Sequence, residues 1–455
     1  MGKIRFLAAL LAAKTCGLGL RLLGRNASYL PGKVAIKLCP DFLGHIGRPE
    51  TIIAVTGTNG KTTVSNMVAD ILTASGYDVI NNGLGSNINA GVASTLIDNS
   101  TITGRAKKQL AVLEVDERSS LKIYPYLEPD YIVCTNIMRD SVTRNANTDF
   151  ITYIISSAVT ARSRLILNGD DIICSGLGSD ANEKVFYGVE YRTGGEHQGT
   201  ELKDITYCPA CGQELEIEYL RYNHIGRVHC SACDFRSPAL QYRITALDRD
   251  QGCFTMVQRD LTETYPMVND NITNMYNTAA AIAVLSEFGL TPEQIRAGLS
   301  SLHIVSSRFD RETVCGKPIT MQLAKSWNPV ACSRAFDYLR CSEGKKKTAI
   351  VMIDYMVDHT ENVCWLYDCD YSAFADPSIT RLIFGGPRGK DHIVRCMIDG
   401  VDKDKIVTTE DLFDTVNHVD PADADSFFIL YDLYLVEEAK KVEALLKKRI
   451  EEANQ

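Results

Sequence analysis

The chain has 455 residues, of which 45% are hydrophobic and 23% are charged, and its formal net charge is −9. That length is enough for two or three domains, each with its own core, and the composition is typical of a globular protein. The acidic balance argues against non-specific nucleic-acid binding, which requires a basic face. Fifteen cysteines with no secretory signal before them predict free thiols and one metal site in the reducing cytoplasm, rather than a disulfide framework.

Residues 1–48 are expected to form an N-terminal helical segment. Residues 3–25 mix leucines with five basic side chains, as an amphipathic helix does. The apolar run within them, Phe6–Ala13, is much shorter than the roughly 20 residues that span a bilayer. The pattern favours a helix docked on the surface of a cytoplasmic protein, and contact with the inner face of the cell membrane is the alternative.

A strand, a glycine loop and a helix are predicted next. Thr51–Val55 is apolar and β-branched, and apolar residues recur at helical spacing over Thr62–Ser75. Between them lies Thr56-Gly-Thr-Asn-Gly-Lys-Thr-Thr63, the context that a phosphate-binding loop requires. Glycines let amide N–H groups turn toward phosphates, and the helix N-terminus favours negative charge.

This loop is therefore predicted to bind ATP. Lys61 is expected to hold the β- and γ-phosphates, and Thr62 is expected to place its hydroxyl on Mg²⁺. Only two residues separate Gly57 from Gly60, where the usual loop has four, so this is a variant loop. A glycine turn without a ligand is the alternative. The predicted nucleotide-binding residues of the loop are Gly57, Thr58, Asn59, Gly60, Lys61, Thr62 and Thr63.

Strands continue to alternate with helices along the chain, which predicts a parallel, doubly wound sheet. Helical spacing returns at Asn274–Phe288, a domain boundary is expected near residues 306–311, and a charged helix closes the chain at Val436–Glu452. The predicted domains are thus residues 1–48, 49–306 and 307–455. Further predicted strands are Val79–Asn81, Gln109–Val115, Tyr131–Thr135, Leu165–Leu167, Lys347–Ile353, Arg381–Phe384 and Phe427–Leu430.

A polar, cysteine-bearing insertion interrupts the alternation at about residues 200–240. It contains two C-x₂-C pairs, and tetrahedral Zn²⁺ accepts four thiolates from such pairs. An insertion with so little apolar content needs a metal to hold it together, so a structural zinc ribbon is predicted. His224 and His229 lie between the pairs as competing ligands, and a redox pair is the other alternative. The predicted zinc ligands are Cys208, Cys211, Cys230 and Cys233.

The string TGTNGKTT resembles the ATP-binding loop of the Mur ligase family and of folylpolyglutamate synthetases. In that family a glutamate at a strand end binds Mg²⁺, which implies this role for Glu114. A family asparagine at a helix start contacts adenine, which implies Asn277, and a family arginine that leads into the C-terminal domain implies that Arg308 reaches the phosphates. The alternatives are a solvated acid at Glu114 and an ordinary helix start at Asn277.

The zinc ribbon, together with Thr135–Asp140 and Val363–Asp368, resembles the MurT family of Mur-type ligases. The resemblance implies ATP-dependent amidation of the D-glutamate α-carboxylate of lipid II through an acyl phosphate. Ammonia would come from a GatD-like glutaminase partner, because this chain has no Gly-x-Cys-x-Gly elbow for a glutaminase nucleophile. The resemblance also implies that Asp368 serves the partner's glutaminase, with Asp358 and Asp370 as competitors.

The chain departs from the Mur ligase pattern at three places, one of which is Ser141–Arg144 in place of the family's Asp-Gln-Leu-Asp-Arg. No lysine occurs between Lys122 and Lys184, so the carbamylated lysine with which many Mur ligases hold a second Mg²⁺ is absent. The segment Ala324–Pro329 has two residues more than the family's usual Ala-Lys-Asn-Pro. We therefore expect a different metal arrangement and a different acceptor pocket.

Two other functions remain as alternatives from the sequence. A Mur- or folylpolyglutamate-type ligase would add an amino acid in place of ammonia. A nucleic-acid-binding module with a phosphate loop and a zinc ribbon would need a basic face, but three arginines in the ribbon are balanced by three glutamates.

Overall fold

A computed structural model describes residues 2–83, 86–140, 147–192, 205–302, 309–325, 328–354 and 363–454. These residues form two compact units. The first unit contains nearly all described residues up to Leu302. The second contains the described residues from Phe309 onward and also takes the loop residues Arg139 and Asp140.

A nine-stranded sheet forms the centre of the first unit, in the order β11-β10-β9-β6-β5-β4-β1-β3-β2. The strands from β2 to β9 in that order run parallel, whereas β9, β10 and β11 form an antiparallel meander at the other edge. The strands of this unit are β1 (Thr51–Thr56), β2 (Val79–Asn81), β3 (Leu110–Glu114), β4 (Tyr131–Cys134), β5 (Arg164–Asn168), β6 (Lys184–Val189), β7 (Leu215–Tyr222), β8 (Ile225–Cys230), β9 (Tyr242–Asp248), β10 (Cys253–Gln258) and β11 (Leu261–Pro266).

Helices connect the consecutive parallel strands from β1 to β6. The central strands β1 and β3 are buried along almost their whole length, as expected when both faces of a parallel sheet are covered. The helices of the unit are α1 (Gly2–Leu22), α2 (Leu30–Leu38), α3 (Lys61–Ala74), α4 (Asn89–Asp98), α5 (Ser120–Leu127), α6 (Thr148–Ala158), α7 (Ile172–Ser175), α8 (Ile272–Phe288) and α9 (Pro292–Ser301). Most of α8 is apolar on every side, and its middle is completely buried beside α3 and β6.

The cysteine-bearing insertion folds as a hairpin of β7 and β8 and forms its own two-stranded sheet. Two adjacent aspartates at the end of β5 attach the hairpin to the large sheet. The backbone N–H of Gly226 donates to the Asp170 carbonyl at 2.7 Å. His224 Nε2 lies 3.1 Å from Asp171 Oδ1 and Arg227 Nη1 donates to Asp170 Oδ1 at 3.4 Å. Both carboxylates are buried.

The second unit has a six-stranded sheet in the order β12-β13-β17-β14-β15-β16. Only β12 is antiparallel to its neighbour among these described strands. The strands are β12 (Phe309–Val314), β13 (Lys317–Leu323), β14 (Lys347–Met352), β15 (Ile379–Gly385), β16 (Ile406–Thr409) and β17 (Ser426–Tyr431), and the helices are α10 (Pro329–Cys341), α11 (Gly389–Ile398) and α12 (Val436–Ala453). Apolar clusters cover both faces of the sheet.

The predicted fold class is confirmed. A large parallel sheet with an inserted cysteine hairpin is followed by a smaller α/β unit. Each predicted strand and helix named above is present, with ends shifted by at most three residues. The sequence analysis missed the meander β9–β11 and the hairpin β12–β13. Among the described residues, no helix is both long enough and apolar enough to cross a membrane.

Helices α2 and α4 approach so closely at Gly32 that a side chain has no room. A Cβ atom at this residue would lie 1.9 Å from the Ala90 carbonyl oxygen, and the Gly32 N–H donates to Ser94 Oγ at 2.8 Å. We therefore expect Gly32→Ala to lower the free energy of unfolding by about 1–3 kcal/mol in urea titrations. Gly19→Ala in α1 is the control, because open space surrounds its Cβ position and alanine favours the helix. Equal stability of the two variants would contradict this prediction.

Candidate functional site

The glycine loop leaves the carboxyl end of β1 and enters α3 at Lys61. Gly57 has φ of 118° and Gly60 has φ of 88°, values that side chains rarely allow. A Cβ atom on Gly57 would also lie 2.3 Å from Thr135 Oγ1. Gly60 precedes the first turn of α3, so the N–H groups of that turn have no intrahelical carbonyl partner. The loop therefore has the backbone of an anion site at a helix N-terminus.

Side chains that follow the neighbouring strand β4 fix the backbone of this loop. Asn136 Oδ1 accepts from the Asn59 N–H at 3.0 Å, and Asn136 Nδ2 donates to the Asn59 carbonyl at 3.0 Å. Thr135 Oγ1 donates to the same carbonyl at 2.7 Å. Thr58 makes a further pair of bonds with the backbone of Met138. Our sequence analysis noted Thr135–Asp140 only as a resemblance and missed this clamp.

Lys61 folds back over the loop and meets a buried carboxylate. Its ammonium donates to the Gly57 carbonyl, to the Thr58 carbonyl at 3.3 Å and to Glu117 Oε1 at 3.1 Å. Glu117 is 1% exposed, and burial raises the pKa of its carboxyl, while Lys61 opposes that shift. Sequence analysis did not select Glu117, although it lies three residues after Glu114 in the same string.

Glu114 ends β3 directly beside Val55 of β1, next to the start of the loop. Its Oε1 accepts from Asn87 Nδ2 at 2.8 Å. Asn82 binds the backbone of Glu114 twice. Its Nδ2 donates to the Glu114 carbonyl at 2.9 Å, and its Oδ1 accepts from the Glu114 N–H at 2.8 Å. Glu114 is thus held in a fixed orientation rather than free in solvent. A carboxylate here and the Thr62 hydroxyl in the first turn of α3 are oxygen donors of the kind that Mg²⁺ takes.

Asn277 lies beside the glycine loop, as the sequence analysis expected of a nucleotide-binding residue. It is buried in α8, and a Cβ atom on Gly60 would lie 2.3 Å from its Oδ1. The loop and the first half of α8 therefore share one edge of the sheet. Arg308, the other residue predicted to reach the phosphates, lies outside the described residues.

The two C-x₂-C pairs converge at the end of the β7–β8 hairpin. Cys208 Sγ is 3.6 Å from Cys233 Sγ, and Cys211 Sγ is 3.5 Å from Cys230 Sγ. All four sulfur atoms lie within 4.8 Å of one another. Four thiolates around Zn²⁺ at about 2.3 Å would be about 3.8 Å apart, so the donor set fits zinc. His224 faces Asp171 and His229 faces Glu216, so the competing histidines have other partners.

Asp368 ends a short 3₁₀ helix, Cys364–Asp368, in the second unit. Its Oδ1 accepts from Arg139 Nη1 at 3.2 Å, and its side chain is partly exposed. Asp370 instead accepts from the Ser372 N–H at 3.0 Å, which fixes it within its own turn. Asp358 lies outside the described residues. Of the two described acids, Asp368 is therefore the one that is not bound within its own turn.

The chain matches two family models, the Mur ligase middle domain over residues 55–224 and the MurT ligase C-terminal domain over residues 323–433. It is 30% identical over 389 residues to the lipid II isoglutaminyl synthase (glutamine-hydrolyzing) subunit MurT of Staphylococcus aureus strain COL, covering 85% of this chain and 86% of that protein. The chain belongs to the MurT family. It is therefore an ATP-dependent ligase of the Mur type.

Other relatives support this assignment. The MurT subunit of Streptococcus pneumoniae strain R6 is 28% identical over 92% of this chain and 93% of its own length. Two solved structures share the fold. A pseudomurein peptide ligase type C from Methanothermus fervidus aligns with a TM-score of 0.65 at 19% identity, covering 89% of this chain and 81% of that one. MurF from Acinetobacter baumannii aligns with a TM-score of 0.62 at 14% identity, covering 91% and 80%.

The cysteine cluster predicts about one zinc ion per chain in protein prepared without chelator. Cys230→Ser removes one of four ligands, so we expect it to lose most of the metal and to lower the melting temperature. Mass spectrometry of the native protein measures the metal content. Cys341→Ser is the matched control, because Cys341 is exposed and lies far from the hairpin in sequence. Absence of zinc from the unmodified protein, or equal zinc in both variants, would contradict the prediction.

Proposed function

We propose that this chain is the synthetase subunit of a lipid II isoglutaminyl synthase in peptidoglycan synthesis. It would amidate the D-glutamate α-carboxylate of lipid II to D-isoglutamine. The observation that carries the proposal is the clamped glycine loop with Lys61 over it, in a chain that is 30% identical to a MurT subunit across 86% of that protein. Membership of the family supports ammonia, rather than an amino acid, as the nitrogen donor.

The proposed reaction has two steps in which atoms balance. A carboxylate oxygen of the acceptor forms a bond to the γ-phosphorus of ATP, and the bond from that phosphorus to the β-bridging oxygen breaks to release ADP. Ammonia then attacks the carbonyl carbon of the acyl phosphate, phosphate leaves, and the nitrogen loses a proton. Both reactants of the first step are anions, so the enzyme must neutralise charge and align them.

Residues of this chain are suited to that task. The loop amides and the N-terminus of α3 would bind the phosphates. The Lys61 ammonium, which pairs with Glu117, would neutralise their charge. Thr62 and Glu114 would hold Mg²⁺, which would supply positive charge to offset that of the phosphates. Asn87 and Asn82 keep Glu114 in place for that role. Asn277 would meet the adenine, and Thr58, Asn59 and Thr63 would complete the loop.

The proposed zinc site is structural. A closed set of four thiolates leaves no open position for water or substrate. The hairpin has a small apolar cluster of its own, and two of the four cysteines belong to it. The metal would therefore supply the stability that this cluster cannot.

The proposed source of ammonia is a glutaminase partner of the GatD type, which would hydrolyse glutamine. A cysteine–histidine glutaminase needs a carboxylate to orient its histidine. We propose that Asp368 of this chain provides that carboxylate in the complex. Support comes from its partial exposure and from its place at the end of Val363–Asp368, within the matched MurT C-terminal domain.

Lys61→Ala should abolish ATP-dependent amidation, because nothing else in the loop carries its charge to the phosphates. It should also lower the free energy of unfolding by about 1–3 kcal/mol, because it leaves the Glu117 carboxylate buried without its ammonium partner. The double variant Lys61→Ala/Glu117→Gln should recover stability but not activity. Phosphate release with ammonia as donor and urea unfolding are the two measurements.

Lys448→Ala is the matched control for Lys61, because Lys448 is well exposed in α12. It should leave both measurements unchanged. Near-normal turnover in Lys61→Ala would refute the proposed nucleotide site. Recovery of activity together with stability in the double variant would show that Lys61 acts only through the fold.

Asp368→Asn should stop glutamine-driven amidation and spare amidation with added ammonia, because the ATP site is untouched. We expect the glutamine-driven rate to fall about 10²-fold or more in the reconstituted complex. Asp370→Asn is the control and should reduce neither rate, since Asp370 serves its own turn. Equal loss with both donors would place Asp368 in the synthetase site or in the fold, and unchanged rates with both would remove it from the mechanism.

A further inference from the structure

Helix α1 has an outer face that is apolar and open to solvent. Positions 4, 8, 11, 15, 18 and 22 fall on one side of a helix because they repeat at intervals of three and four. Four of them are large apolar residues with high exposure: Ile4 79%, Leu11 54%, Leu18 57% and Leu22 79%. The other two are Ala8 and Thr15, which are also exposed. We call these six residues the outer face of α1.

The opposite side of the same helix is packed into the protein. Phe6, Leu10 and Ala13 are buried in the main core of the first unit, where α1 lies against α2 and α4. Lys14 donates to the carbonyls of Ile97 and Ser100 at the end of α4, which fixes the rotation of α1. The outer face therefore cannot turn inward. A continuous exposed apolar stripe on a fixed helix indicates a binding surface.

The distribution of charged residues along the chain indicates what binds to the outer face of α1. The first 40 residues contain seven lysines and arginines and no aspartate or glutamate, whereas the other 415 residues contain 41 basic and 57 acidic residues. Lys3 and Arg25 are exposed at the two ends of α1, and Lys33 and Lys37 are exposed on α2. Arg21 is also exposed, although it pairs with Asp98 at 2.5 Å. The basic residues are thus concentrated on α1, on α2 and on the segment between them, in a chain that is otherwise strongly acidic.

An anionic lipid surface fits this combination better than a protein does. Protein interfaces are depleted of lysine, and a symmetric contact with a second copy through this face would place two basic segments against each other. A helix that lies in the plane of a bilayer has leucines on one side and lysines and arginines at the level of the headgroups. The buried inner side of α1 keeps it from leaving the protein to span the bilayer.

We propose that the outer face of α1 docks on the surface of an anionic phospholipid bilayer. The leucines enter the boundary between headgroups and acyl chains, and the exposed basic residues Lys3, Arg25, Lys33 and Lys37 bind the lipid phosphates. This docking is independent of the proposed reaction. If that reaction also holds, the docked helix places the synthetase at the surface where a lipid-linked substrate lies.

Flotation of the full chain with vesicles tests the proposal. One set contains phosphatidylglycerol and phosphatidylcholine in equal parts, the other phosphatidylcholine alone, and neither contains lipid II. We expect binding to the anionic vesicles to be at least about tenfold stronger and to fall with added salt. The variant Leu11→Gln/Leu18→Gln/Leu22→Gln should lose about tenfold or more of this binding. Glutamine keeps the helix propensity.

The matched control is Tyr153→Gln/Leu261→Gln/Ile398→Gln, which removes three equally exposed apolar residues elsewhere. It should bind anionic vesicles like the unmodified chain. Circular dichroism and melting temperature show that all three proteins fold. Equal binding to both vesicle sets, or full binding by the α1 variant, would overturn the proposal. A dimer that the α1 variant converts to a monomer would assign the face to a second copy instead.

Amidation of a water-soluble acceptor separates this proposal from the proposed function. The α1 variant should keep that activity, because none of the residues of the outer face belongs to the glycine loop or to the rest of the proposed site. Loss of vesicle binding with activity intact is the expected result. An unmodified chain that is active but binds no vesicles would refute the docking alone, and an unmodified chain that binds vesicles but is inactive would refute the reaction alone.

Discussion

The rest of the site depends on the hydrogen bonds that Thr135 and Asn136, directly after β4, make to the glycine loop. A loop with two residues at positive φ has no regular hydrogen bonds of its own, so its shape must come from its neighbours. Thr135 and Asn136 provide those bonds because β4 lies beside β1 in the sheet and ends at the same edge. Parallel strand order thus places the loop, the clamp and Glu114 on β3 together at one carboxyl edge.

At the same carboxyl edge of the sheet, Lys61 forms an ion pair with Glu117. The Lys61 ammonium lies 3.1 Å from the buried Glu117 carboxylate, so the two charges compensate each other inside the protein. Triphosphate entering this edge would compete with Glu117 for the ammonium. Burial raises the pKa of the Glu117 carboxyl and Lys61 opposes that shift, so the buried carboxylate depends on the ammonium to compensate its charge.

Sequence patterns predicted the parts of this protein that depend on local chemistry. The glycine loop, the four cysteines and the alternating strands each have a short-range signature, and the structure contains all three. The clamp by Asn136 and the pairing of Glu117 with Lys61 were missed because they join residues more than 50 positions apart. The meander β9–β11 was missed because its strands are polar on their exposed side. The predicted roles of the site residues and the domain limits remain predictions.

The cysteine hairpin and the start of α8, which lies beside the glycine loop, are connected through one buried acid. Asp170 Oδ2 accepts from the Val189 N–H at 2.9 Å and from the Tyr276 hydroxyl at 2.8 Å, while its backbone carbonyl holds the hairpin. Tyr276 precedes Asn277 in α8 and also packs edge-on against Tyr222 of β7, with ring centroids 6.2 Å apart. Asp170 is completely buried, so its hydrogen bonds are costly to break. Loss of the proposed metal from the hairpin would therefore disturb the start of α8, next to the glycine loop, although no zinc ligand lies in that loop.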